Sequence, residues 1–218
     1  MSIVVFDLDG TLIDSAPDIR AAANRMLAEQ GIDPLDLPTM TSFIGNGLPK
    51  LVERVIDRVG LDRARHGELT AITLTHYNAA TTDLTRPYPG VVAALGALQA
   101  MGCQLALCTN KPEAPARAIL RDLGLAGFFN GVVGGDTLTV KKPNPEPLRH
   151  LIPTGRAALY VGDSEVDAET AARAGVRFAL FSGGYRKSPV DSIPHQDRFD
   201  DFTDLPGIVA AAFAAESS

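Results

Sequence analysis

Two aspartates, Asp7 and Asp9, directly follow the apolar run "IVVF" (3–6) and precede Gly10-Thr11. Carboxylates that close repel one another, and burying them without compensation is costly. Either the pair merely caps a turn, or something nearby needs both charges. Polar groups that could meet that need recur along the chain, each shortly after another apolar run. Thr109 and Asn110 follow "QLALC" (104–108), and Lys141-Lys142-Pro143 come after "GVVG" (131–134) and a short loop. Asp163 and Ser164 follow "ALYVG" (158–162), with Asp167 in the first turn of the helix pattern that comes next.

Those runs, with a fifth at "RFALF" (177–181), are apolar on both faces rather than alternating. That pattern is expected of a parallel sheet covered on each side. Helix-like stretches at 91–102, 113–124 and 165–175 separate them, which predicts an α/β fold with a doubly wound, mainly parallel sheet. In such open sheets, ligands bind beyond the carboxyl ends of the strands. The polar residues just named all stand at that edge. Up to four carboxylates, a hydroxyl, an amide and a lysine would converge there.

One segment breaks the alternation. From Ser15 to about Leu84 only helical patterns occur: Ile19, Ala22, Ala23, Met26 and Leu27, then Leu48, Leu51, Val52, Val55, Ile56 and Val59 at helical spacing. Ser15 with Asp18 three residues on resembles a helix-start box, and Ser15 and Asp14 are expected to begin that helix. The segment predicts a helical insertion over 15–85, leaving 1–14 and 86–218 as the α/β core. Residues 86–90 (RPYPG) read as the return linker. The tail "AAAFAAESS" reads as a terminal helix that frays.

Four clustered carboxylates call for a hard divalent cation with oxygen ligands, and Mg²⁺ suits one or two carboxylates plus phosphate oxygens. A lysine, Thr109 and backbone N–H groups would suit the oxygens of a phosphoryl group. Asp7 can then act as nucleophile, forming an aspartyl phosphate, while Asp9 carries the proton to and from oxygen. Gly10 lets the backbone turn closely around such a site. Quieter roles stand beside these. Thr109 could cap the helix near Glu113, Asn110 could serve only the turn, and Asp167 could be a favourable charge at a helix N-terminus. Lys141 and Lys142 compete for one role.

The totals exclude other classes. A net charge of −6 and no basic cluster argue against nucleic-acid binding and against a membrane surface. No apolar run approaches the length of a transmembrane helix. If "GCQLALC" is a strand, Cys103 and Cys108 would lie about 16 Å apart, beyond disulfide reach. Reduced thiols and the absence of a leader-like start predict a cytoplasmic protein.

"DLDGTLIDS", "CTN", "KKPNPEP" and "GDSEVD", in that order, resemble the four motifs of the haloacid dehalogenase superfamily. The resemblance spans essentially the whole chain. It implies Asp7 as nucleophile and metal ligand, and Asp9 as acid/base with its backbone carbonyl on Mg²⁺. It further implies Thr109, Asn110 and Lys142 around the phosphoryl group, Asp163 on the metal, and Asp167 binding through water or orienting its neighbours. The helical insertion is similar to the superfamily's small cap. Within the superfamily, "FIGNGLPKLVERV" (43–55) and "SGGYRKS" (182–188) resemble bacterial phosphoglycolate phosphatases. That implies a small anionic phosphomonoester such as 2-phosphoglycolate as partner, with Gly45-Asn46-Gly47 as a cap loop reaching the site. A sugar-phosphate mutase of β-phosphoglucomutase type, or another small-metabolite hydrolase, is the alternative.

Overall fold

The computed structural model describes residues 2–215. Five strands form where the apolar runs predict them: β1 (Ile3–Phe6), β4 (Gln104–Cys108), β5 (Gly131–Val133), β6 (Ala158–Gly162) and β7 (Arg177–Phe181). A sixth, β8 (Asp197–Phe199), completes a sheet of order β5-β4-β1-β6-β7-β8 in which every pair is parallel. β8 was not expected, because three residues with two charges carry no strand pattern.

Alternate residues of each strand enter opposite faces, the period of a pleated strand. Val4, Phe6, Leu105, Leu107, Leu159 and Val161 belong to one apolar cluster. Ile3, Val5, Ala106, Cys108, Ala158 and Tyr160 belong to the other. Helices α5 (Val91–Ala100), α6 (Glu113–Asp122) and α9 (Leu205–Ala215) supply side chains to the first. Helices α7 (Glu146–Leu151) and α8 (Glu165–Ala174) cover the second. Strands buried on both faces are thus explained by helices on both faces.

Between a two-residue strand β2 (Ile13–Asp14) and its antiparallel partner β3 (Arg86–Pro87) lie four helices. These are α1 (Ala16–Glu29), α2 (Leu37–Phe43), α3 (Leu48–Val59) and α4 (His66–Asn78), packed on one another. The expected apolar stripes face inward: Ile19, Ala22, Ala23, Met26 and Leu27 on α1, and Leu51, Val52, Val55 and Ile56 on α3, are buried. The stretch expected as a plain linker begins with β3, so entry and return of the insertion are tied together by a short ladder.

The helix-start box at Ser15 does not form. Ser15 makes no side-chain cap; its hydroxyl donates to Asp9 Oδ1 at 2.5 Å. Asp18 instead accepts from the Leu84 and Thr85 amides and from the Thr85 hydroxyl. The start of α1 is held by the Tyr185 hydroxyl, which accepts from the amides of Ser15 and Ala16 at 2.7 and 2.9 Å. A distant tyrosine has replaced the local cap. Both cysteines are free thiols, Cys108 buried. The end of the tail expected to fray lies outside the described residues. Among those described, no helix is long and apolar enough to cross a membrane.

Candidate active site

The carboxyl ends of β1, β4 and β6 bring the sequence-predicted residues to one cavity of about 320 Å³. Asp7, Asp9, Thr109, Asn110, Lys142 and Asp163 line it, together with Gly45, Asn46 and Gly47 from the loop before α3. Asp167 lies beneath, fully buried.

Lys142 ties the acidic groups together. Its ammonium donates to Asp7 Oδ1 at 2.8 Å, to Asp167 Oδ1 at 2.7 Å and to the Tyr160 hydroxyl at 2.8 Å. Lys142 is only 3% exposed. Burial works against its charge, but Asp167 and Asp7 outweigh that and raise its pKa. Lys141, its rival, is exposed, with its ammonium 3.5 Å from the Asn46 carbonyl.

Asp167 has donors on both oxygens: Lys142 and Tyr160 on Oδ1, the Ser164 hydroxyl and amide on Oδ2. With Ser164 it forms a capping box at the start of α8. Burial opposes its charge, yet Lys142 and these hydrogen bonds hold its carboxyl below the usual range. Asp163 accepts from the Thr11 hydroxyl at 2.7 Å and from the Tyr185 amide at 2.6 Å. Burial, then the charges of Asp167 and Asp7, push its pKa well up. Asp7 is pushed up to about 7, chiefly by burial, with Lys142 opposing.

One oxygen each of Asp7, Asp163 and Asp167 lies within 4.8 Å of the others. Of these three buried carboxylates, Asp7 and Asp167 share the Lys142 ammonium, and Asp163 is bonded to no cation among the described residues. Asp7 and Asp163 resist ionising. An all-oxygen set short of positive charge fits a hard divalent cation. The backbone allows this crowding through glycine. A Cβ on Gly184 would fall 2.3 Å from both Asp163 Cβ and the Gly10 carbonyl, and one on Gly10 (φ +89°) would lie 2.6 Å from Asp163 Oδ2.

The order of these groups along the chain, and their meeting at parallel strand ends, coincide with a known profile. A family described as "Haloacid dehalogenase-like hydrolase" matches residues 4–181. The chain belongs to this family. It is an enzyme, a phosphoric monoester hydrolase by that family and its relatives. A Cereibacter sphaeroides protein named phosphoglycolate phosphatase is 51% identical over 210 residues, covering 94% of this chain and 96% of its own. One of the same name from Rhodospirillum rubrum is 45% identical, covering 93% and 88%. A crystal structure titled as a predicted phosphoglycolate phosphatase, from Haemophilus somnus, superposes with TM-score 0.90 at 30% identity. It covers 96% of this chain and 98% of that one.

In this haloacid dehalogenase-like hydrolase the residues of the loop before α3 are held from both sides. Arg54 on α3 donates to the Phe43 carbonyl and to Asn46 Oδ1, at 2.6 and 3.0 Å. Asn110 donates to the Lys142 carbonyl at 3.1 Å and to the Gly45 carbonyl at 3.5 Å, leaving its own Oδ1 buried without a partner. Thr109 is buried, and its hydroxyl accepts from the Lys111 amide at 3.2 Å.

Sequence reasoning missed Lys111, whose ammonium donates to both Asp9 oxygens at 2.8 Å. It also missed Thr11, Tyr160, Tyr185 and Arg54. A lysine two residues past Thr109, at a strand end already singled out, was a usable signal. Nothing marked Tyr160 inside its apolar strand.

Proposed function

We propose that the chain hydrolyses 2-phosphoglycolate with Mg²⁺, through an aspartyl phosphate on Asp7. The observation that carries this is the Lys142 ammonium, shared by Asp7 and Asp167 beside Asp163 at the strand ends. The names of the relatives support the substrate. Asp7, Asp163 and the Asp9 backbone carbonyl would hold the cation. When bound, it supplies the charge that offsets the carboxylates and draws on a phosphoryl oxygen.

The remaining work falls to side chains. The Asp7 carboxylate attacks phosphorus, the bond to the alcohol oxygen breaks, and Asp9 gives that oxygen its proton. Asp9 then takes a proton from the water that attacks the aspartyl phosphate, releasing inorganic phosphate and restoring Asp7. Lys142, Thr109 and Asn110 would hold and neutralise the transferring group. Asp167, with both oxygens already engaged, acts by fixing Lys142 and would meet the cation only through water.

Residues 1–14 and 86–218 would form the catalytic core, and 15–85 a cap that excludes water and tests the leaving group. A cytoplasmic location and small-metabolite traffic, with no nucleic acid or membrane as partner, complete the reading. A screen of some tens of phosphorylated metabolites tests it. Phosphoglycolate should rank first, and turnover should vanish with EDTA and return with Mg²⁺, while Ca²⁺ inhibits. Undiminished turnover in excess chelator, or glucose 6-phosphate formed from the 1-phosphate in preference to hydrolysis, would overturn it.

A further inference from the structure

We propose that Lys111 and Tyr77 form a carboxylate subsite that reads the leaving group, with the Lys111 ammonium passing from Asp9 to the substrate as it binds. This rests on the phosphoglycolate reading above and names the residues that would select that substrate.

Lys111 belongs to the loop after β4, and Tyr77 to α4 of the helical insertion. Both line the cavity with Asp7 and Asp9. The Lys111 ammonium lies 4.9 Å from the centroid of the Tyr77 ring and bridges both oxygens of Asp9. Both residues are nearly enclosed. The Tyr77 hydroxyl is buried with no well-formed hydrogen bond, the Lys111 ammonium being close enough to act on it both as a charge and as a donor. A buried hydroxyl left unpaired is costly, and an oxygen of a bound ligand would satisfy it.

The covalent length of the substrate decides which cation can serve. In a 2-phospho acid the carboxylate carbon stands two bonds from the bridging oxygen. That oxygen must come within hydrogen-bond distance of Asp9 to be protonated, and Lys111 already sits at that distance from Asp9. The carboxylate of a two-carbon leaving group is therefore long enough to reach Lys111 while its bridging oxygen is at Asp9. The other lysines of the cavity are worse placed. Lys142 is held against Asp7 and Asp167, where it would meet the phosphoryl group rather than the leaving group. Lys141 and Lys187 are exposed and bonded to neither Asp7 nor Asp9.

The exchange keeps the buried ammonium paired throughout. In this structure Lys111 neutralises Asp9, with Ser15 donating to the same carboxylate. A substrate carboxylate takes Asp9's place as the counter-ion of Lys111 and leaves an Asp9 oxygen to face the alcohol oxygen. A neutral leaving group offers no replacement, so Lys111 stays on Asp9. The apolar wall of Ile19, Leu48, Leu51 and Leu74 strengthens the contrast by keeping water from competing.

The test compares kcat/KM for 2-phosphoglycolate with that for ethyl phosphate, the same carbon skeleton without the carboxylate. The ratio should fall by about 10- to 100-fold in Lys111→Met and about 10-fold in Tyr77→Phe, the range for hydrogen bonds to a charged group. Lys187→Met should leave the ratio in place. Inhibition by 3-phosphonopropionate relative to propylphosphonate should follow the same pattern, which reads binding without turnover. A ratio preserved in either Lys111→Met or Tyr77→Phe, or lost in Lys187→Met, overturns the subsite while leaving the substrate reading intact. A wild-type ratio near one overturns the substrate reading itself, and the subsite with it.

Discussion

The Lys142 ammonium lies 2.8 Å from Asp7 Oδ1, joining residues 135 positions apart in a buried ion pair. The same ammonium is 2.7 Å from Asp167 Oδ1, so one cation serves two acids. Removing one partner of such a buried set leaves charges uncompensated, at a cost of about 3–5 kcal/mol. Lys142→Met should therefore melt well below the wild type in EDTA. Its turnover should fall by about 10²- to 10³-fold, the usual loss for one donor to a developing oxyanion. Near-normal turnover would show that Lys142 serves only to fold the site.

Asp7 and Asp9 differ in what their replacement should do. Asp7→Asn removes the attacking carboxylate, and phosphoryl transfer should stop. Asp9→Asn retains the nucleophile and loses the proton carrier, a loss of about 10²- to 10⁴-fold. With p-nitrophenyl phosphate the departing oxygen needs little protonation, whereas attack by water still does. Phosphate should then accumulate on Asp7 of Asp9→Asn, seen as a mass gain of about 80 Da. Label found on Asp9 instead would reverse the two assignments.

The sheet and the acidic end of the site were legible because each depends on local pattern. Strands buried on both faces read as unbroken apolar runs, and polar residues placed just past them mark the edge where such sheets bind ligands. What escaped depends on partners remote in sequence. Ser15 and Asp18 have the spacing of a helix-start box, yet Tyr185 and the 84–85 backbone offered each a different bond. Tyr160 reads as core within "ALYVG", and only the fold shows its hydroxyl between Lys142 and Asp167. Lys111 reads as loop filler until Asp9 is seen against it.

Tyr185 should matter for stability as much as for the site. Its hydroxyl accepts from two amides at the start of α1 and donates to Asp14 Oδ1 at 2.6 Å, all in buried or half-buried surroundings. Tyr185→Phe would leave those amides unpaired, at a cost of about 1–3 kcal/mol. The urea midpoint should drop accordingly with the slope unchanged. Since Ser15 also donates to Asp9, turnover should fall with it. An unmoved midpoint would mean that water replaces the hydroxyl without loss.

The cation should reveal itself through pH as well as through activity. Asp7 sits at about 7 in the fold, against 3.8 for an ordinary aspartate, mainly because it is buried. A carboxyl with a raised folded pKa stabilises the fold when protonated. That contribution is complete below the unfolded value and is lost as pH climbs from about 4 to about 7. Asp163 has the same sign. Asp167 has the opposite one, its contribution being present above the unfolded value and lost in acid. The metal-free protein should accordingly lose stability towards neutrality on account of Asp7 and Asp163. A divalent cation binds these carboxylates only when they are ionised, so it competes with their protons. The rise in Tm caused by excess Mg²⁺ should then be small near pH 5 and grow towards about pH 8. Asp7→Asn should reduce that growth to the share Asp163 contributes, because an amide has no proton to displace. Scanning fluorimetry across this range, with EDTA and with Mg²⁺, makes the comparison. A magnesium increment that ignores pH would place the cation away from Asp7 and Asp163.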